Sequence, residues 1–459
     1  MNGTVERSRK HRTKPISPAR TAAYRVLCDV FINGAYSNES INSNFNPALK
    51  KPEDRALASN IIYGTIKKKN RLEMIIAALS KRSGRNVDER IKLILMMSLY
   101  QLFYLDKVPG YAVVNDAVEM TRLYGSPSYS GFVNAVLREA LRRGDALIMR
   151  EDDKKNLLAN EYGFASWLIK LLSAQYGLGG LADIAAAFEK SPKVTLRVNT
   201  LRISEERLID RLADSGISAA KTFVPGVITV EKAVNVFAGR EYREGLFYAQ
   251  DISGVISGYL AGVRAGCSVL DLCAAPGAKS FNAYILSGGS AFLTACDISA
   301  SKVDAMRRAA SQYGIPMRAM KSDASSFNPK FRGTFDIVIC DVPCSGLGVI
   351  GRKPEILYRV TERSIEELKS KQLAILKNAV NYVKKGGCLV YSTCTINKEE
   401  NEDIIARALS DIKGIRPAKI SLPFELAVPH EEMKNGMLVL NPAKDNTDGF
   451  FTAVLTRSL

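Results

Sequence analysis

Histidine is almost missing from this chain: His11 and His430 are the two it has in 459 residues. A Ser-His or Cys-His mechanism is therefore poorly supplied, and proton transfer falls mainly to carboxylates, thiols or water. CxxC spacing is missing as well. The eight cysteines, at 28, 267, 273, 296, 340, 344, 388 and 394, are scattered, which argues against a zinc site and for reduced thiols, so no metal is expected. There is no GxGxxG turn, which leaves a dinucleotide site unsupported. No apolar run reaches the length of a bilayer crossing; the richest, residues 91–105, is interrupted by Lys92, Ser98 and Gln101, as suits a buried core helix. The N-terminus, with Arg7, Arg9, Lys10, Arg12 and Lys14, lacks the apolar segment that follows the charges of a secretory signal. A cytoplasmic protein with no membrane partner is expected. Acidic charge is also short, and the formal net charge of +17 favours a polyanionic partner through phosphate contacts and counterion release. Nucleic acid comes first and an anionic membrane surface second.

The length exceeds what one hydrophobic core usually supports, so several domains are expected. Residues 1–16 carry basic side chains with almost nothing apolar and read as a disordered arm, either a solvated tail or a grip on nucleic-acid backbone. Ser17-Pro18 reads as an N-cap and first turn, and helical spacing continues through 17–147, an all-helical domain. Residues 148–245 combine linker helices with a small α+β module: strands at 194–199 and 227–231 and an amphipathic helix at 204–215. Over 246–459 strands and helices alternate, with strands at 268–272, 291–296, 317–320, 335–340 and 388–391. That alternation predicts an α/β, Rossmann-like domain with a parallel doubly wound sheet and ligands at the carboxyl ends of its strands.

The chemistry-bearing residues fall at those ends. The first strand runs into Cys273-Ala274-Ala275-Pro276-Gly277-Ala278-Lys279, a turn of small residues opening a helix, which lets a ligand approach the backbone and favours a carboxylate at the helix N-terminus. Asp297 closes the second strand, at the interval where such folds hold ribose hydroxyls, and Asp323 the third, where it is placed for an adenine amino group. Each acid alone is more often a cap or turn residue. The fourth strand ends in Asp341-Val342-Pro343-Cys344-Ser345-Gly346 and the fifth in Tyr391-Ser392-Thr393-Cys394-Thr395. As neighbours, these strands would open both thiols into one cleft. Cys28, Cys267, Cys296, Cys340 and Cys388 read as small buried hydrophobes, whereas Cys344 and Cys394 sit in polar loops. Two thiols suit one reaction well. A thiolate that adds to carbon 6 of cytosine turns carbon 5 into a nucleophile for an electrophilic methyl, and a second group must then take the carbon 5 proton. Asp341 would stabilise charge on the base.

These residues resemble the RsmB/Sun (Fmu) branch of the RNA cytosine-5 methyltransferases. The likeness rests on residues 271–279, 341–346 and 391–395, on Glu399-Glu400-Asn401-Glu402, and on Thr447-Asp448-Gly449-Phe450-Phe451. It extends to Leu196-Arg197-Val198-Asn199-Thr200, Gln250-Asp251 and a NusB-like RNA-binding domain that includes residues 131–138. The resemblance implies a class I methyltransferase domain that binds S-adenosylmethionine through residues 273–279, Asp297, Asp323 and Asp341. It implies that Cys394 is the nucleophile and that Cys344 assists product release. The implied substrate is cytosine 967 of 16S ribosomal RNA, methylated at carbon 5; nothing in the sequence suggests more than a monomer. Ala278 stands where the family usually has a second glycine, which is tolerable if that residue is already helical. The basic stretch Gly351-Arg352-Lys353-Pro354-Glu355 reads either as a solvated loop or as an RNA clamp. Two rivals remain: a DNA cytosine-5 enzyme with Cys344 as nucleophile, and a non-catalytic RNA-binding factor.

Overall fold

Ser17 and Pro18 begin the first helix, α1 (Pro18–Phe31), where the missing N–H of proline costs nothing, and Ala19, Ala23, Val26, Leu27 and Val30 form its buried face. The computed structural model describes residues 16–80, 87–148, 151–190, 193–231 and 233–458; the basic arm read over 1–16 falls outside these, Ile16 apart. Contacts divide the chain after Phe164 into two compact units. The first is helical: α2 (Ser37–Ala48), α3 (Pro52–Lys67), α4 (Lys69–Ser80), α5 (Glu89–Tyr104), α6 (Gly110–Tyr124) and α7 (Ser130–Arg143) follow α1. α5 is the apolar run noted above. It is buried almost all round, from Ile91 through Leu93–Met97 to Leu99, because α1, α3, α4, α6 and α7 all pack on it. Two buried arginines are paired in this unit, Arg20 with Asp116 at 2.6 Å and Arg71 with Glu151 at 3.0 Å.

The second unit begins with a helical segment, Ser166–Glu189, broken at Gly177, whose φ of 72° is open to glycine. A four-stranded antiparallel sheet follows, with β1 (Val194–Val198), β2 (Ala219–Lys221), β3 (Val227–Val230) and β4 (Phe247–Ala249) in the order β2-β3-β1-β4. Its helix, Glu205–Asp214, is capped by the Ser204 side chain and buries Leu208 and Leu212 against Leu196, Val198 and Ile228.

The large sheet contains β5 (Ser268–Asp271), β6 (Phe292–Asp297), β7 (Met317–Lys321), β8 (Phe335–Asp341), β9 (Val383–Thr393), β10 (Ile415–Pro417), β11 (Met437–Leu440) and β12 (Phe450–Arg457). The order is β10-β12-β9-β8-β5-β6-β7, with β11 on β12. An entirely parallel sheet is not what forms. β5 to β9 are parallel, but β12 runs antiparallel to β9, and β10 and β11 antiparallel to β12. The alternation of strand side chains explains the helices on both faces. Ile337, Ile339 and Val390 pack with Phe281, Val303 and Met306 on one side, and Val338, Cys340, Leu389 and Tyr391 pack with Leu376, Val380 and Ile405 on the other. The order reverses at β5, so a crevice opens at its carboxyl end between β6 and β8. Among the described residues no helix is long and apolar enough to cross a membrane.

Candidate active site

β5 ends at Asp271, which is buried with Oδ2 accepting the Ser280 hydroxyl at 2.7 Å, while Oδ1 has no partner among the described residues. Burial pushes its carboxyl up to about 7. The chain then turns through Cys273–Gly277 with a cis Ala275-Pro276 peptide. Gly277, at φ 111°, is the N-cap of the helix Ala278–Leu286. A Cβ there would come within 2.5 Å of the Phe281 ring, so the turn accepts only glycine at this point. Ala278 is the first helical residue, where a methyl group is at ease. Across the reversal, Asp297 accepts from Ala275 N–H at 3.3 Å and from Ser299 N–H at 2.9 Å, which ties the end of β6 to the turn. Asp323, past β7, accepts from the Ser325 hydroxyl and N–H through Oδ1 alone. The Ser325 bonds hold its carboxyl below the ordinary value.

On the other side of β5, the β8–β9 register pairs Asp341 with Ser392, and the Ser392 hydroxyl donates to Asp341 Oδ1 at 2.9 Å. The second Asp341 oxygen takes Lys279 Nζ at 2.6 Å. Burial works against the Lys279 ammonium, but the Asp341 carboxylate overrides it and raises the pKa. Because β8 and β9 are adjacent, the loops that follow them meet: Cys344 Sγ and Cys394 Sγ are 3.4 Å apart. The two thiols are not equivalent. The hydrogen bond with Cys344 lowers the Cys394 pKa; burial and Asp341 oppose this, and the charges of Lys279 and Lys353 support it. The same bond, with burial, pushes Cys344 well up.

Glycine lets the loops close. Gly348 N–H donates to Cys394 O at 2.9 Å, and Gly449 N–H donates to Gly348 O at 2.8 Å. A Cβ on Gly348 would overlap the Gly449 carbonyl, so the stretch Thr447–Phe451 straps the Cys344 loop from outside. Arg352 is committed within the molecule, bonding Asp251 at 2.7 Å and Asp448 at 2.6 Å. Of the basic stretch read as a possible clamp, its guanidinium thus serves the fold. Cys296 and Cys340 are buried as read, whereas Cys28, Cys267 and Cys388 are only partly buried. Sequence reasoning missed Asp271, Ser392 and the Lys279–Asp341 pair. The acids that close two adjacent strands, Asp271 on β5 and Asp341 on β8, were the signal that could have found them.

A family model described as 16S rRNA methyltransferase RsmB/F matches residues 260–456. A NusB family model matches 17–142, and a RsmF/B-like ferredoxin-like domain model matches 164–237. A probable ribosomal RNA small subunit methyltransferase B of Bacillus subtilis is 31% identical over 442 residues, covering 94% of this chain and 97% of that protein. The chain belongs to the ribosomal RNA small subunit methyltransferase B family. A Synechocystis relative with the same description is 30% identical over 96% of this chain and 99% of its own. Among solved structures, PH0851 matches with a TM-score of 0.82 at 22% identity, over 97% of this chain and 99% of that one. NSun6 from Pyrococcus horikoshii with SFG matches with 0.58 at 20%, over 64% and 99%. Both likenesses concern the fold.

This methyltransferase takes its methyl group from S-adenosylmethionine, and the crevice suits that donor. A partnerless buried oxygen on Asp271, a turn that a Cβ would fill, and carboxylates at the ends of β6, β7 and β8 provide acceptors for amino and hydroxyl groups. The helix N-terminus faces a carboxylate favourably.

Proposed function

We propose that this methyltransferase methylates carbon 5 of a cytosine in 16S ribosomal RNA, at the position equivalent to 967, through a covalent bond between Cys394 and carbon 6. The observation that carries the reading is the pair of sulfurs 3.4 Å apart at adjacent strand ends beside the cofactor crevice. Support for the substrate comes from the printed names of the relatives and from charge. Lys190, Lys193 and Phe223 line a cleft of about 490 Å³ that reaches Arg352 and Asp448 beside the Cys344 loop. Cations and an aromatic ring are what a single-stranded RNA path uses.

The donor is assigned to residues 273–279 with Asp297, Asp323 and Asp341, and bound there it supplies an electrophilic methyl group. Cys394, poised as thiolate by Cys344 and the lysines, adds to carbon 6 of an unstacked cytosine. Asp341, fixed by Lys279 and Ser392, retains lone pairs for the exocyclic amino group and so orients the base. Once carbon 5 is methylated its proton passes to Cys344, whose own hydrogen has first gone to solvent. The sulfur–carbon bond then breaks and returns the Cys394 thiolate. In net terms a methyl cation is exchanged for one proton.

Bisulfite sequencing of ribosomal RNA from cells with and without the protein tests the substrate: one protected cytosine should become convertible when the protein is missing, and no change would sink the assignment. With purified protein, Cys394→Ala should abolish methylation and form no adduct, while Cys344→Ala should accumulate an RNA adduct that survives denaturing gels. The reverse pattern would make Cys344 the nucleophile, as in the DNA enzymes.

A further inference from the structure

Beneath the two thiols lies a carboxylate that the proposed reaction does not use. Glu400 ends the turn Lys398–Glu400 and is fully buried. Its Oε1 accepts Ser345 N–H at 2.8 Å and Gln372 Nε2 at 3.1 Å; its Oε2 accepts the Ser345 hydroxyl at 2.5 Å and Asn397 Nδ2 at 3.2 Å. The Thr395 hydroxyl lies 3.4 Å from Oε2 and 2.7 Å from the Ser345 hydroxyl. Gln372 also donates to Pro343 O at 3.0 Å. Every strut leads to a loop that carries a thiol: Pro343 and Ser345 flank Cys344, and Thr395 follows Cys394. The turn itself is held to β9, since the Tyr391 hydroxyl donates to Glu400 O at 2.6 Å.

A buried carboxylate would be costly without such donors, and the donors constrain its chemistry. All of them point inward, so the group must be acceptor-only; an amide would set N–H against N–H or O–H on one side. We infer that Glu400 is a positioning residue that locks the Cys344 and Cys394 loops in register, so that the Cys344 S–H stays aimed at the Cys394 sulfur. This deepens the cytosine-5 reading and rests on it. The sign of the electrostatics agrees. After the bond to Cys394, burial and the Cys394 charge, the Glu400 charge also raises the Cys344 pKa, which keeps Cys344 the donor of the pair.

The test uses the full-length protein as wild type, Glu400→Gln and Ser345→Ala. The alkylation rate of Cys394 by iodoacetamide is followed against pH by peptide mass spectrometry, with kcat on 16S RNA and the Kd for S-adenosylmethionine measured alongside. Both variants should move the Cys394 midpoint upward, toward the ordinary thiol value of ~8.5. They should lower kcat by about tenfold to a hundredfold, with Kd for the donor unchanged. Ser345→Ala keeps the carboxylate and removes one strut, so it gives the answer even if Glu400→Gln does not fold. Wild-type midpoint and kcat in a folded variant would overturn the inference, because a merely structural role moves the unfolding temperature and neither of these. If wild type alkylates at Cys394 with a low midpoint yet Cys344→Ala forms no RNA adduct, it is the cytosine-5 reading that fails, and the midpoints still report on Glu400.

Discussion

Gly277 concentrates a backbone requirement and a packing requirement in one atom. At φ 111° an L side chain costs about 1–2 kcal/mol by handedness alone. The ring it would strike cannot turn aside easily, because Phe281 packs edge-on against Tyr248 at 5.6 Å and Tyr313 at 5.4 Å. Gly277→Ala should therefore lower the unfolding temperature by several degrees and weaken S-adenosylmethionine binding in calorimetry. Ala278→Gly, which restores the glycine usual in the family, should leave binding unchanged since that residue is already helical. Wild-type affinity in Gly277→Ala would move the donor's seat away from this turn. Residue identity showed the turn, the strand-end acids and the two thiols. It did not show what each charge is for: Lys279 finds Asp341 across 62 residues, and Arg352 finds Asp251 and Asp448. Such pairings are settled by topology, and a basic stretch looks the same in sequence whether it faces RNA or a carboxylate.

Among elements, β5, β6, β8 and the second half of β9 were legible as short β-branched or apolar runs closed by a turn. The strand beyond them was not, since Phe450–Arg457 is buried on both faces over most of its length and shows no alternation to read. α2 is held as a helix for a different reason. Its sequence, with Asn38, Asn42, Asn44, Asn46 and Pro47, is poor in helix formers, and it is fastened instead by Ser40 and Asn44 bonding Asp29 on α1. The edge of the large sheet has its own fastening. His430 lies between Glu432 at 2.8 Å and Asp445 at 3.0 Å, which joins the turn Glu431–Asn435 to the short helix Pro442–Asp445 on either side of β11. The hydrogen bond to Asp445 raises the imidazole pKa, against burial and with help from Glu432. A raised folded-state pKa means stabilisation that is fully present below the unfolded value of ~6.5 and lost as pH rises through the folded one. The unfolding temperature of wild type should thus exceed that of His430→Gln most near neutrality or below, and the gap should narrow toward alkaline pH. A gap that ignores pH would show that the ring keeps its unfolded-state pKa in the native protein, and a gap that widens toward alkaline pH would show it to be held neutral there.

For the whole molecule, charge acts at two ranges that salt can separate. The net +17 works on RNA from a distance through exposed side chains, and such attraction is screened within about 10 Å at 0.1 M salt. The charges around Cys394 act at contact: Lys279 is largely buried against Asp341, where added salt reaches poorly. Binding of a 16S RNA fragment should therefore weaken steeply with salt, while single-turnover methylation at saturating RNA changes little. Residues 1–16 carry five cations and one acid, and their two readings, a solvated tail and a grip on nucleic-acid backbone, differ in salt dependence. Deleting these residues should reduce the slope of log K against log salt by about 0.7 for each single-strand phosphate they hold, without changing the turnover of bound RNA. Equal slopes for the full and shortened chains would place the arm off the RNA, and the steering charge would then have to lie on the folded units themselves.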